Sequence, residues 1–319
     1  MKILANDGIS PEGKQKLESA GFEVVTETVP QDKLIQEIND KGYVGLVVRS
    51  ATTVRKEVID SCPNLKFIGR GGVGMDNIDV AYAREKGLVV ENTPAASSQS
   101  VAELVLGTMF SISRSLHDSF KNMPLNGESE FKTLKKKYGK GVELRGKTLL
   151  IVGFGRIGQS LASYALGVGM KVVAIDKNEY IAKIPVTIEG AGVFNVELKT
   201  STDLNSELAN ADYISLHVPK QSDGGAVITK KEFALMKNGV RIVNAARGGV
   251  INEDDLLVAL NSGKVANIAL DVFENEPNPR KDLLNHELIA TTPHIGAATV
   301  EAQARIGIEL ADKIIATFK

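Results

Sequence analysis

Cysteine is nearly missing from this chain, Cys62 being the only one in 319 residues. An intrachain disulfide is therefore impossible, and a zinc site built from several thiolates is excluded. Cys62 itself reads as a small residue near a helix end rather than a catalytic thiol. Long apolar runs are missing too, since none approaches the roughly 20 residues that a bilayer span requires. The opening MKILANDG is strand-like and lacks the basic region, apolar stretch and cleavage site of a secretory signal. These absences predict a cytoplasmic protein with no membrane partner. Neither sign of charge dominates: 38 Lys+Arg against 39 Asp+Glu leave a net charge of -1. Nothing draws the molecule to phosphate backbones, so no nucleic-acid partner is expected.

What is present is an ordinary globular composition, 43% apolar and 24% charged, which excludes a disordered chain. The length exceeds what one hydrophobic core usually sustains, so two domains are expected. Short β-branched runs alternate with amphipathic segments, the pattern of parallel sheets covered by helices. KILAN, FEVVTETV (22–29), YVGLVVRS, LKFIGRG and LVVEN supply the strands of a first α/β domain. Ser100 and Glu103 then read as a capping box opening a long helix to about His117. The polar stretch 122–140, ending in Lys135, Lys136, Lys137, Tyr138, Gly139 and Lys140, reads as a solvated connecting arm. A second series follows: TLLIVG, KVVAID, YISLHV, VRIVNAA, ANIALDV and ELIATTPH. Thr229 and Glu232 cap a helix within it. In the closing helix Ile306, Leu310 and Ile314 share one face, which requires a partner.

Gly153-Phe154-Gly155-Arg156-Ile157-Gly158 follows an apolar strand, opens a helix, and precedes a second strand ending at Asp176. A lone GxGxxG string is weak evidence, but this context is that of a dinucleotide site. Gly153 permits the tight turn, Gly155 lets a pyrophosphate approach the backbone, and Gly158 lets helix and strand pack closely. The helix N-terminus presents free N–H groups to the phosphates. Asp176 is placed to accept from the adenosine ribose. A 2′-phosphate there would meet a like charge, at a cost of up to about 4 kcal/mol at ~4 Å in an intermediate dielectric. NAD is therefore expected over NADP. A second cluster, Gly69-Arg70-Gly71-Gly72-Val73-Gly74, lacks the third glycine of the pattern. Its backbone N–H groups, with Arg70, Arg49 and Ser50, suit a smaller anion such as a substrate carboxylate. Surface or structural ion pairs would explain the arginines equally simply.

Ligands of open parallel sheets bind beyond the carboxyl ends of the strands. Three later strands run directly into polar groups at that edge: Arg247, Glu276 and His294. Hydride exchange with a carbonyl needs a proton donor that titrates near neutrality, and His294 is the candidate, although a satisfied buried histidine reads as well. A carboxylate at Glu276 would favour the imidazolium, and the Arg247 guanidinium would grip a carboxylate bidentately and polarise the carbonyl. His217, before Val218 and Pro219, reads as part of a cofactor-lining loop. No metal site is expected.

The strings GFGRIG, NAARGGVI, LDVFENEP and TPHIGA, in this order and spacing, resemble the D-isomer-specific 2-hydroxyacid dehydrogenase family over essentially the whole chain. The resemblance implies a flavodoxin-like substrate domain (1–98 and 296–319), into which a Rossmann NAD-binding domain (99–295) is inserted. It also implies a cleft between the two doubly wound α/β domains and a homodimer formed mainly through the NAD-binding domains. Arg247, Glu276 and His294 become the catalytic set. Cofactor contacts fall on Arg156, Ile157, Asp176, Val218, Ala245, Ala246 and Asp271. VVRSATTVRKEVID, GRGGVGMDNID and ENTPAASSQSVAEL are most similar to the D-3-phosphoglycerate dehydrogenase branch, which places Arg49, Ser50, Gly72, Val73 and Gly74 at the substrate. Val73 stands where many relatives carry a hydroxyl, and Ala95-Ala96 replaces a more polar pair. A regulatory C-terminal domain and serine feedback through it are not expected. An unphosphorylated 2-oxoacid (glyoxylate, hydroxypyruvate or D-lactate/pyruvate) is the alternative substrate, and an NAD-sensing corepressor-like interaction protein is the alternative class.

Overall fold

The computed structural model describes residues 1–221 and 223–319. The chain divides into two compact units, Met1–Ser100 with Ala297–Lys319, and Val101–Gly296.

The first unit holds β1 (Lys2–Ala5), β2 (Glu23–Val25), β3 (Tyr43–Val48), β4 (Phe67–Arg70) and β5 (Val89–Asn92). They pair in parallel in the order β2-β1-β3-β4-β5. That is the flavodoxin-like order, with the chain reversing direction across the sheet between β1 and β3. The strand interiors are largely apolar because helices cover both faces. One face packs around Leu4, Leu46 and Ile68. The other packs Ile3, Val47 and Phe67 against Ile306, Leu310 and Ile314 of the helix Val300–Phe318. Each of those three side chains is almost fully buried, which stabilises the unit by about 1.5–3 kcal/mol apiece. The β2 strand is shorter than the predicted 22–29, since TETV leaves the sheet after Val25.

The second unit holds β6 (Thr148–Val152), β7 (Lys171–Ile175), β8 (Ile181–Ile188), β9 (Gly192–Ser201), β10 (Tyr213–Leu216), β11 (Val240–Asn244), β12 (Val265–Leu270) and β13 (Ile289–Thr291). Their order is β13-β12-β11-β10-β6-β7-β9-β8. Without β8 this is a Rossmann sheet extended by β13, with its switch point between β6 and β10. The β8–β9 hairpin is the one antiparallel pairing among the described residues. It stands outside the expected strand series, although IAKIPVTI and VFNVELKT alternate around a glycine-bearing turn, the usual hairpin signature.

Two expectations fail. Ser100 is the third residue of a helix that already begins at Ser98, and its hydroxyl pairs with Thr299 at 2.7 Å, so no capping box forms with Glu103. The stretch 122–140 is mostly helical rather than a loose arm, part of a helical segment Leu116–Tyr138 that is broken by a kink at Glu130. Asp118 anchors its end, accepting from Lys137 Nζ and the Tyr138 hydroxyl, both at 2.7 Å. That hydrogen bond pushes the Lys137 ammonium up to about 12. The capping box of Thr229 and Glu232 forms as predicted.

Candidate functional site

The glycine loop leaves β6 at the switch point. Gly153 has φ +93°, a left-handed conformation, and a Cβ there would lie 2.6 Å from the His217 carbonyl oxygen of the neighbouring loop. Gly158 is equally constrained, since its Cβ would meet the Gly153 carbonyl oxygen at 2.5 Å. Gly155 differs: nothing lies within 4 Å of its Cβ position, and as N-cap of the 12-residue helix Arg156–Gly167 it makes no side-chain cap. Two glycines therefore serve packing, and the third keeps a cradle open at a helix N-terminus, where a pyrophosphate fits. Arg156 and Ile157 form the first turn beyond it. Asp176, just past β7, accepts the Phe154 N–H at 2.8 Å, and the Tyr180 hydroxyl donates to the Phe154 carbonyl at 2.6 Å. The acid expected to receive the ribose thus also clasps the loop.

His217 follows β10. Its Nε2 pairs with Ser215 Oγ at 2.8 Å, while Nδ1 is buried and has no partner among the described residues. The edge of the residue reaches solvent but the ring nitrogen does not, and burial lowers the imidazole to about 4, so it is neutral at physiological pH. Val218 and Pro219 continue the loop, Val218 half-buried and Pro219 exposed.

β11, β12 and β13 are parallel neighbours in register, so the loops after them emerge on one edge. After β11, Asn244 fixes the turn: its Oδ1 accepts from Ala246 N and its Nδ2 donates to the Arg247 carbonyl, both at 3.1 Å. Ala245 is half-buried and Ala246 buried. The Arg247 guanidinium lies back along this turn, Nη1 donating to the Ala246 carbonyl at 2.6 Å. After β12, the buried Asp271 carboxylate takes three hydrogen bonds, from Thr292 Oγ1 at 2.6 Å and from Ile295 N and Gly296 N at 2.8 Å. It thereby holds the loop that carries His294. That residue has φ +54°, a conformation costing a non-glycine residue roughly 1–3 kcal/mol.

His294 Nδ1 and Glu276 Oε2 are 2.7 Å apart, and Glu276 Oε1 accepts the Phe273 N–H at 3.0 Å. The carboxylate is oriented by its own loop, and it orients the ring. With Nδ1 spent on Glu276, Nε2 is the atom left to exchange a proton with a bound oxygen. Such a pair can serve as general acid and base. The function of Asp271 as the brace of the His294 loop was not legible in the sequence, where it is one more strand-end carboxylate. Among the described residues no group of three His, Cys, Asp or Glu side chains could hold a metal ion, and no helix is long and apolar enough to cross a membrane.

In the first unit the loop after β3 is fixed before any ligand arrives. Asp7 accepts the Arg49 N–H at 2.6 Å, the Thr52 N–H at 3.1 Å and the Thr52 hydroxyl at 2.6 Å. Asn77 Nδ2 donates to the Arg49 and Thr52 carbonyls at 2.8 and 2.6 Å. Arg49 lines a pocket of about 210 Å³ with Asp7, Ser10, Gly71 and Gln303, and Ser50 is exposed beside it. The N–H groups of Gly71 and Gly72 are already taken, by the Val48 carbonyl at 2.9 Å and Thr93 Oγ1 at 2.8 Å. The anion nest expected there is narrowed to Val73, which is exposed, and Gly74, which is half-buried.

Residues 106–296 match the family model described as D-isomer specific 2-hydroxyacid dehydrogenase, NAD binding domain. The chain is 42% identical over 317 residues to a hydroxypyruvate reductase of Thermotoga maritima, covering 98% of this chain and 97% of that one. It is 41% identical over 314 residues to a D-3-phosphoglycerate dehydrogenase of Methanocaldococcus jannaschii, covering 98% of this chain but 57% of that protein. Among solved structures, the D-mandelate dehydrogenase of Rhodotorula graminis superposes with a TM-score of 0.86 at 26% identity, covering 98% of this chain and 93% of that one. The open cradle, the paired His294 and Glu276 and these likenesses agree: the chain belongs to the D-isomer-specific 2-hydroxyacid dehydrogenase family, with NAD as its cofactor.

Proposed function

We propose that this dehydrogenase oxidises D-3-phosphoglycerate to 3-phosphohydroxypyruvate, the entry to serine synthesis. The observation that carries the chemistry is the 2.7 Å contact between His294 Nδ1 and Glu276 Oε2 at the edge beyond β12 and β13. Bound NAD supplies a nicotinamide C4 able to accept a hydride. His294 Nε2 takes the hydroxyl proton as the carbonyl forms, Glu276 balances the imidazolium charge, and Arg247 holds the substrate carboxylate. Arg49, Ser50 and the Val73-Gly74 backbone take the phosphate-bearing end. The preformed Arg49 loop and the likeness to D-3-phosphoglycerate dehydrogenases support this choice.

Hydroxypyruvate is the second reading, favoured by 42% identity to a hydroxypyruvate reductase of nearly the same length. Steady-state comparison of 3-phosphohydroxypyruvate with hydroxypyruvate and glyoxylate separates the two. We expect kcat/KM to be highest for the phosphorylated acid; equal or higher values for hydroxypyruvate overturn the assignment. Replacing His294 by Ala should lower kcat by roughly 10²–10⁴-fold and leave NADH binding nearly unchanged. Comparable losses in both would remove His294 from the chemistry.

The reading includes a homodimer through the NAD-binding unit. Phe120, Leu125 and Phe131 of the kinked helical segment Leu116–Tyr138 are 71%, 80% and 57% exposed, an apolar load that solvated helices do not ordinarily carry. Sedimentation velocity should show a dimer, converted to monomer by Phe120→Glu with Leu125→Glu. A wild-type monomer would refute this part.

A further inference from the structure

A second carboxylate lies close to the catalytic edge and takes no part in the chemistry above. Glu253 opens the helix Glu253–Asn261 and is only 6% exposed. Its Oε1 accepts the Glu274 N–H at 2.9 Å, and Glu274 Oε1 accepts the Glu253 N–H at 3.4 Å. These two residues therefore clasp each other reciprocally, side chain to backbone. The preceding N–H of the loop, that of Phe273, is the one Glu276 accepts at 3.0 Å. Gly248 lies directly against the peptide joining Phe273 to Glu274, since a Cβ there would collide with the Phe273 carbonyl oxygen and meet the Glu274 nitrogen at 2.7 Å. Phe273 is thus held on both sides, its own N–H by Glu276 and the peptide joining it to Glu274 by Glu253 and Gly248. It cannot shift without moving Glu276.

We infer that Glu253 is a positioning residue, which holds residues 273–276 where Glu276 reaches His294 and ties that loop to the one carrying Arg247. A buried carboxylate is costly to keep: burial pushes the Glu253 carboxyl up, helped by the Glu274 and Asp282 charges and opposed by the hydrogen bond from the Glu274 N–H and by Arg280. What the position requires is an oxygen acceptor at the correct reach, which a protonated acid or an amide also supplies.

The inference rests on the proposed roles of Glu276 and His294, and the experiment keeps the two separable. Glu253→Gln should retain kcat within about threefold, since its amide oxygen replaces Oε1, whereas Glu253→Ala should lower kcat by roughly ten- to a hundredfold through misplacement of Glu276. KM and the NADH Kd should stay within about twofold, because the loss falls on the reacting geometry and not on binding. In a double-mutant cycle, Glu253→Ala should add little to Glu276→Ala, the signature of one acting through the other. Full additivity, a wild-type kcat in Glu253→Ala, or a loss that parallels NADH binding overturns the inference. If Glu253→Ala does not fold, Glu253→Asp keeps the charge but shortens the reach by one methylene, and a wild-type kcat in that variant is equally fatal. If Glu276→Ala itself leaves kcat unchanged, the catalytic reading fails; if it lowers kcat while the Glu253 variants do not, only the positioning role fails.

Discussion

Two glycine-rich loops follow parallel strands in this molecule, and they are open to different degrees. After β6, Gly155 faces space at the N-terminus of a 12-residue helix. After β4, Gly71 and Gly72 spend their N–H groups on the Val48 carbonyl and Thr93 Oγ1, and Arg70 folds back to donate to the Gly71 carbonyl at 3.1 Å. Glycine content is similar in the two strings, yet the second spends its Gly71 and Gly72 donors internally and keeps only Val73 and Gly74, whereas the first, though Asp176 takes its Phe154 N–H, keeps open space at Gly155. A phosphate cradle is defined by donors without an internal partner, not by the glycines that make room for them.

The largest effect that sharpens this contrast is expected at Gly155. Its backbone has φ -71°, which any residue adopts, and its Cβ position is empty. Gly155→Ala should leave thermal stability essentially unchanged and weaken NADH by about a hundredfold, or ~2.7 kcal/mol, because the methyl takes the place of the pyrophosphate. A fall in Tm with intact NADH binding would erase the distinction between the two loops. Gly72 is expected to behave in the opposite way. It has φ +138°, and a Cβ would run into the Arg70 guanidinium. Gly72→Ala should cost about 1–3 kcal/mol of stability in a denaturant titration, with NADH affinity unaltered. Unchanged stability would show that this loop is as free as the first.

Much of this was legible in the sequence, and the parts that were not have identifiable causes. The parallel strands and the strand-end residues Arg247, Glu276 and His294 follow from short apolar runs stopping at polar groups, a pattern set by burial. The filled state of the second glycine loop is not local information, because Thr93 lies 21 residues beyond Gly72. The brace at Asp271 reaches across 24 residues to Ile295, and nothing in the spelling of LDVFENEP distinguishes that acid from its neighbours. The Ser100 and Glu103 spacing matches a capping box, but the hydroxyl is drawn instead to Thr299 at 2.7 Å. Tertiary pairing overrode a local signal there. The β8–β9 hairpin, by contrast, is local information, carried by the alternation of IAKIPVTI and VFNVELKT around a glycine-bearing turn.

Per pH unit, the smallest effect belongs to the seam where the open loop meets β10. The Gly153 backbone lies against the His217 carbonyl, and the His217 imidazole beside it is neutral, lowered by burial to about 4 from an ordinary 6.5. In the folded state this ring resists protonation, whereas in the unfolded chain it accepts a proton near its ordinary value. Between those two values the unfolded state binds more protons, so stability rises with pH. The contribution is complete above 6.5 and is lost as pH falls towards 4. The difference in unfolding free energy between wild type and His217→Asn should therefore change with pH across that window, at a slope of at most about 1.36 kcal/mol per pH unit, and be flat above it. Equilibrium denaturation at a series of pH values reads the slope directly. A difference independent of pH through the window would mean that the ring is solvated, and that the wall of the open loop is looser than the packing around Gly153 requires.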